Sequence, residues 1–113
     1  MPSTFLFAFD GARIVGRVSI RHRLNAVLER IGGHVGYVVV PECRGRGYAT
    51  AILAKAVAIA RDELGIARVL VTCEESNLAS IKVIERNGGV LNDSVPDGVT
   101  HETSPPHRRY WIG

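Results

Sequence analysis

The chain has 113 residues, 46% of them hydrophobic, and a formal charge of +3 at pH 7, so residues 1–113 are read as one domain with room for a two-layer core. Its arginines are scattered or gathered in one loop rather than drawn into a stripe, and no apolar run reaches the length of a membrane span. Neither nucleic acid nor membrane is expected as a partner, and Met1-Pro2-Ser3-Thr4 opens no signal peptide, which makes a cytoplasmic protein the expectation.

Thr4 to Phe9 alternates, with Phe5, Phe7 and Phe9 on one face of a strand and Leu6 and Ala8 on the other. The aromatic stripe is read as core. Asp10-Gly11 signals a hairpin, and Arg13 to Ile20 returns as the second strand through Ile14, Val18 and Ile20. Gly16 within it marks a bulge or a close approach. From Arg21 to Ile31 the spacing of Leu24, Val27, Leu28 and Ile31 predicts a helical turn or connector, ended by Gly32-Gly33. His34 to Val40 is the third strand, and Pro41 must part it from its neighbours.

Between Gly47 and Leu64 the residues Ile52, Leu53, Ala56, Val57, Ala60 and Leu64 share one helical face, and Gly65 is the stop. Arg68 to Cys73 is apolar on both faces, as a strand covered by helices should be. Two strands around one helix at this spacing form a parallel βαβ unit with a right-handed crossover. Asn77 or Ser76 caps the next helix, whose apolar face is Ile81, Val83 and Ile84 and whose end is Asn87-Gly88-Gly89. Val90 to Val95 is read as a strand, Pro96 to Pro106 as a loop, and Arg108 to Ile112 as a last antiparallel strand.

The stretch from Val38 to Thr50 carries the chemistry. It runs from a β-branched strand through Pro41 and a loop with Arg44, Gly45, Arg46 and Gly47 into an alanine-rich helix. Such a junction aims unpaired first-turn N–H groups and the positive end of a helix dipole at one spot, while glycines let the backbone approach an anion closely. This is a phosphate seat. Cys43 and Cys73 form no C-x-x-C pair and no histidines cluster, so no metal site is expected. Both read as free thiols, with a Cys43 nucleophile beside Arg44 as the alternative.

Arg44-Gly45-Arg46-Gly47-Tyr48-Ala49, preceded by Gly36-Tyr37 and followed by Asn77, Ser80 and Asn87-Gly88-Gly89, resembles the signature of the GCN5-related N-acetyltransferases. The resemblance implies an α/β (α+β) fold: a mixed, mostly antiparallel sheet with a central splayed parallel strand pair and helices on its faces. It implies acetyl-CoA as co-substrate and direct transfer of acetyl to a primary amine, on a small molecule or a protein. Val38, Val39 and Val40 would hold the pantetheine arm and thioester. Arg44, Gly45, Arg46, Gly47, Tyr48, Ala49 and Thr50 would hold the pyrophosphate, and Asn77 with Ser80 would touch the cofactor from the neighbouring strand's end.

Two departures from the family pattern qualify what the resemblance implies. The chain starts at what resembles the family's second strand, without the front strand and two helices that wall the acceptor pocket, so a truncated domain or a non-catalytic acyl-CoA-binding module is the rival reading. The position of the tyrosine that protonates the leaving thiolate in many members is Ile84. His34 resembles in position the carboxylate that some members use as base, and its reference pKa of ~6.5 suits the task; Glu75 and His101 are further candidates. An uncovered N-terminal sheet edge favours a homodimer.

Overall fold

The computed structural model describes residues 3–24, 33–95 and 106–113. Its elements are β1 (Ser3–Asp10), β2 (Arg13–Arg21), β3 (Val35–Val39), a 3-10 turn (Pro41–Cys43), α1 (Tyr48–Asp62), β4 (Val69–Glu74), α2 (Leu78–Arg86), β5 (Val90–Val95) and β6 (His107–Ile112). The connector expected across Arg21 to Ile31 and the loop from Pro96 to Pro106 lie mostly outside the described residues. Arg21 itself closes β2 and Pro106 leads into β6.

The strands form two antiparallel sheets, ordered β1-β2-β3 and β4-β6-β5. In the first, Gly11 takes the hairpin turn at φ +62. Ala8 faces Gly16 while Phe9 faces Ile14, so Val15 is the extra residue of a bulge. Gly16 serves close packing as well, since a Cβ there would lie 2.5 Å from the Val38 carbonyl oxygen and 2.9 Å from Ile52 Cδ1 of α1.

α1 covers one face of this sheet. Ile52, Leu53, Ala56, Val57 and Ala60 are buried on it, opposite Val18, Ile20, Val35 and Val39, while Leu6 and Ala8 pack at the margin. Each fully buried aliphatic side chain stabilises by about 1.5–3 kcal/mol. The aromatic stripe proves to be on the other face: Phe5, Phe7 and Phe9 are 75%, 65% and 59% exposed. The expectation of a phenylalanine core is corrected by this, because β1 sends its even-numbered residues toward α1.

Gly65 ends the helix at φ +71, with Ile66 N–H donating to the Ala60 carbonyl at 2.9 Å. β4 is apolar throughout Val69, Leu70 and Val71, all buried. It pairs with β6, whose Tyr110 is fully buried, and β6 pairs in turn with β5. α2 starts at Asn77, whose Oδ1 accepts the Ser80 N–H at 3.2 Å, and ends at Asn87 and Gly88 (φ +81).

The two sheets touch where β3 begins. His34 N–H donates to the Leu70 carbonyl at 2.8 Å, and the Leu70 N–H donates back to His34 Nδ1 at 2.9 Å. Beyond that point no ladder joins β3 to β4, so the central pair splays.

Candidate functional site

The hydrogen-bond parity of β3 decides what the splayed pair offers. Val40 N–H donates to the Val15 carbonyl (2.9 Å) and Arg21 N–H to the His34 carbonyl (2.6 Å), so even-numbered peptide groups of β3 point at β2. The odd ones, at Val35, Tyr37 and Val39, point into the gap. This refines the expected strand contacts: Val39 presents its backbone to the slot, Val38 contributes a half-exposed side chain, and Val40 has its N–H engaged elsewhere.

At its wide end the gap opens into a cavity of about 600 Å³. There Pro41 breaks the strand, the 3-10 turn buries Cys43 completely, and the Arg44 side chain folds back so that its Nε donates to the Val39 carbonyl at 3.3 Å. Gly45 and Gly47 take φ +78 and +83, conformations that a Cβ would strain, with open space where that Cβ would stand. Gly47 is the N-cap of α1, and the first intrahelical bond runs from Ala51 N–H to its carbonyl at 3.2 Å. The N–H groups of Tyr48, Ala49 and Thr50 are therefore those of an open first turn, aimed at the cavity.

Of the expected cofactor residues, Val38, Val39, Arg44, Gly45, Gly47, Tyr48, Ala49, Thr50, Asn77 and Ser80 line this one cavity. Arg46, which is exposed, and Val40, which packs against the core, are not among the lining residues. The Tyr48 hydroxyl points away, donating to Asp10 Oδ2 at the β1–β2 turn (2.5 Å), so its share is its backbone. Asn87 ties the two helices that flank the opening, with Nδ2 on the carbonyls of Thr50 (3.2 Å) and Val83 (3.0 Å).

His34 is not brought there. It is 8% exposed, at the narrow end of the gap, with Nδ1 accepting from Leu70. That bond places the neutral ring's proton on Nε2, leaving no lone pair free, and burial lowers the pKa so the ring stays neutral. The expected base is corrected to a clasp between strands. Glu75 lies at the end of β4 beside Arg108 (3.9 Å), and His101 is outside the described residues. Ile84 is fully buried core.

Lys82, Arg86 and Tyr37 also line the cavity and had no place in the expected site. Lys82 and Arg86 stand one turn apart on α2, a spacing of four that puts both on one helical face. Tyr37 reaches from β3 across the gap, its hydroxyl 3.5 Å from Ser80 Oγ, and its phenol pKa is raised, chiefly by burial. Among the lining residues there are three cations, Arg44, Lys82 and Arg86, and no carboxylate. The open first turn of α1 and these cations fit a ligand bearing several phosphates.

Comparison with known proteins agrees with this geometry. The model of the GNAT acetyltransferase domain matches residues 2–90. Among solved structures, a variant of the spermidine N-acetyltransferase of Vibrio cholerae superposes with a TM-score of 0.78 at 16% identity, over 97% of this chain and 64% of that one. The yncA protein of Salmonella typhimurium, solved with its cofactor acetyl-CoA, gives 0.77 at 18%, over 96% of this chain and 62% of that one. Thus the chain spans a little under two thirds of those relatives' length. None of the curated protein sequences matches it significantly.

Proposed function

Because the chain belongs to the GNAT acetyltransferase family, we propose that its cavity takes acetyl-CoA as co-substrate and that the protein transfers the acetyl group directly to an amine. The observation that carries this reading is the meeting of two backbone sites in one cavity. The open first turn of α1 at Gly47–Thr50 seats the pyrophosphate, and the slot-facing peptides of Tyr37 and Val39 run alongside the pantetheine arm. A slot-facing N–H near Tyr37 polarises the thioester carbonyl, favouring the oxyanion that forms as the amine adds. The acceptor is a primary amine, and spermidine, the substrate named for one structural neighbour, is the first to assay.

A second reading, an acyl-CoA-binding module without transfer, draws on two facts: Ile84 is core and His34 is spent on Leu70. Calorimetric titration with acetyl-CoA, followed by amine assays, separates the two. Gly47→Glu puts a side chain at φ +83 and a carboxylate in the phosphate seat. Its affinity is expected to fall at least ~100-fold, about 2.8 kcal/mol, with the fold retained. Unchanged binding by that variant would remove the seat from the reading. We also propose that β1, an edge strand among the described residues, pairs in a homodimer; a monomer in sedimentation at micromolar concentration would end that proposal.

A further inference from the structure

The proposed transfer leaves one chemical task unassigned. When the tetrahedral intermediate collapses, the C–S electron pair goes to sulfur, and the thiolate must take up a proton to become the CoA thiol, a step that a positioned acid accelerates. The residue at the matching helix position, Ile84, is apolar and fully buried, so α2 supplies no such proton from there.

Few groups on the cavity wall remain. Cys43, the last residue of the 3-10 turn, has no exposed surface, and the Tyr48 hydroxyl is committed to Asp10 of the β1–β2 turn. Arg44 and Arg86 offer guanidinium forks, whose role is to donate hydrogen bonds to anions. Lys82 sits on α2 one turn from Arg86, and the two form a pair of cations suited to phosphate. Tyr37 differs in place and in surroundings. Its peptide faces the slot, it lies three residues up the strand from Val40, ~10 Å at ~3.3 Å per residue, and its hydroxyl crosses to Ser80 on the opposite wall. An arm that starts in the seat at Gly47 and follows β3 brings its sulfur end toward that hydroxyl.

Resting on the transfer reading, we propose that Tyr37 is the acid that protonates the departing CoA thiolate, with Ser80 relaying its replacement proton. The amine lone pair forms the C–N bond, the C–S bond breaks, and the phenol proton passes to sulfur to give the thiol. Ser80 Oγ–H then returns a proton to the phenolate and takes one from solvent, which also receives the proton shed by the attacking nitrogen. Two hydroxyls at 3.5 Å exchange donor and acceptor roles by rotation alone, so the pair serves both steps. Burial, which keeps the phenol protonated, suits an acid rather than a base.

The test uses the whole chain and its Tyr37→Phe and Ser80→Ala variants, with acetyl-CoA as donor and spermidine and hydroxylamine as acceptors. Released CoA thiol reports turnover, and calorimetry reports CoA affinity. Tyr37→Phe is expected to lower kcat roughly 100-fold or more while CoA affinity stays within about twofold, and to remove the basic limb of the kcat–pH profile. Ser80→Ala is expected to lower kcat by roughly tenfold with the same limb shifted. Tyr37→Phe turning over at the parent rate, or losing affinity in place of kcat, overturns the acid role alone. A parent that binds CoA yet releases no thiol to either acceptor overturns the transfer reading and this inference with it.

Discussion

The two ends of β3 are built on opposite plans. At its start, His34 meets Leu70 through two hydrogen bonds, 2.8 and 2.9 Å long, and Arg21 Nη1 reaches the Gly33 carbonyl at 3.2 Å. At its finish, Pro41 breaks the strand, the backbone turns away, and a cavity opens in place of a ladder. A parallel pair that stayed together would satisfy its peptide groups and offer no slot; one that never met would not hold the slot's width. The clasp at one end fixes the separation from which the gap at the other opens. Stability and binding should therefore respond separately to changes at the two ends, and Gly47→Glu and Tyr37→Phe probe the open one.

The largest stability effect is expected at Gly33. It holds φ +60, and a Cβ there would stand 2.4 Å from the Leu70 carbonyl oxygen. Gly33→Ala thus combines a left-handed alanine, costing ~1–2 kcal/mol, with a contact that must push β4 away. Urea unfolding should register a loss of about 2 kcal/mol or more, and CoA affinity should fall with it because the slot changes width. A loss confined to stability, with affinity intact, would mean that the clasp does not set the gap.

His34→Ala strikes the same end more gently. The Leu70 N–H loses its side-chain acceptor in a buried place, at a cost of ~1.5 kcal/mol. The pH dependence carries a sign. With its folded pKa lowered by burial, His34 binds a proton in the unfolded chain before the folded one. Its contribution is whole above the unfolded value of ~6.5 and is lost as pH falls through that value toward the folded one. The variant's stability should be flatter over that acid range than the parent's. Its kcat–pH profile should keep the parent's shape, since the ring stands outside the cavity; a lost limb would restore His34 to the chemistry.

How far such a site is legible in sequence depends on the range of the interaction that fixes each residue. Gly45 and Gly47 were readable because positive φ is a local demand, and Asn77 because its cap bond spans three residues. The α1 face was readable because helical period and burial coincide at Ile52, Leu53, Ala56, Val57 and Ala60. Period two told that Phe5, Phe7 and Phe9 share a face, but not which face a helix covers, and they came out exposed. The duty of His34 was hidden for a like reason: its partner Leu70 is 36 residues on. Tyr37 depends on two facts remote from it, the ladder parity of β3 and the approach of Ser80, 43 residues away. Lys82 and Arg86 did carry a local sign in their spacing of four, which an apolar reading of α2 passes over.

The smallest effect is expected at Lys82, on the open end. Its ammonium lines the cavity from α2 without an acidic neighbour among the lining residues, so its contribution to CoA binding is a partly solvated charge–phosphate attraction. Such terms are worth about 0.5 kcal/mol, roughly twofold in affinity, and salt erodes them as the Debye length contracts from ~10 Å at 0.1 M toward ~3 Å at 1 M. Lys82→Gln should bind CoA about twofold more weakly at low ionic strength and equally at high, with no change in unfolding free energy. Titration with CoA lacking its 3′-phosphate sharpens the result: if the twofold difference vanishes there too, the ammonium serves that phosphate, and the pyrophosphate is left to the first turn of α1. A difference that persists in high salt would instead require a desolvated contact, and would place Lys82 deeper in the slot than its position one turn from Arg86 implies.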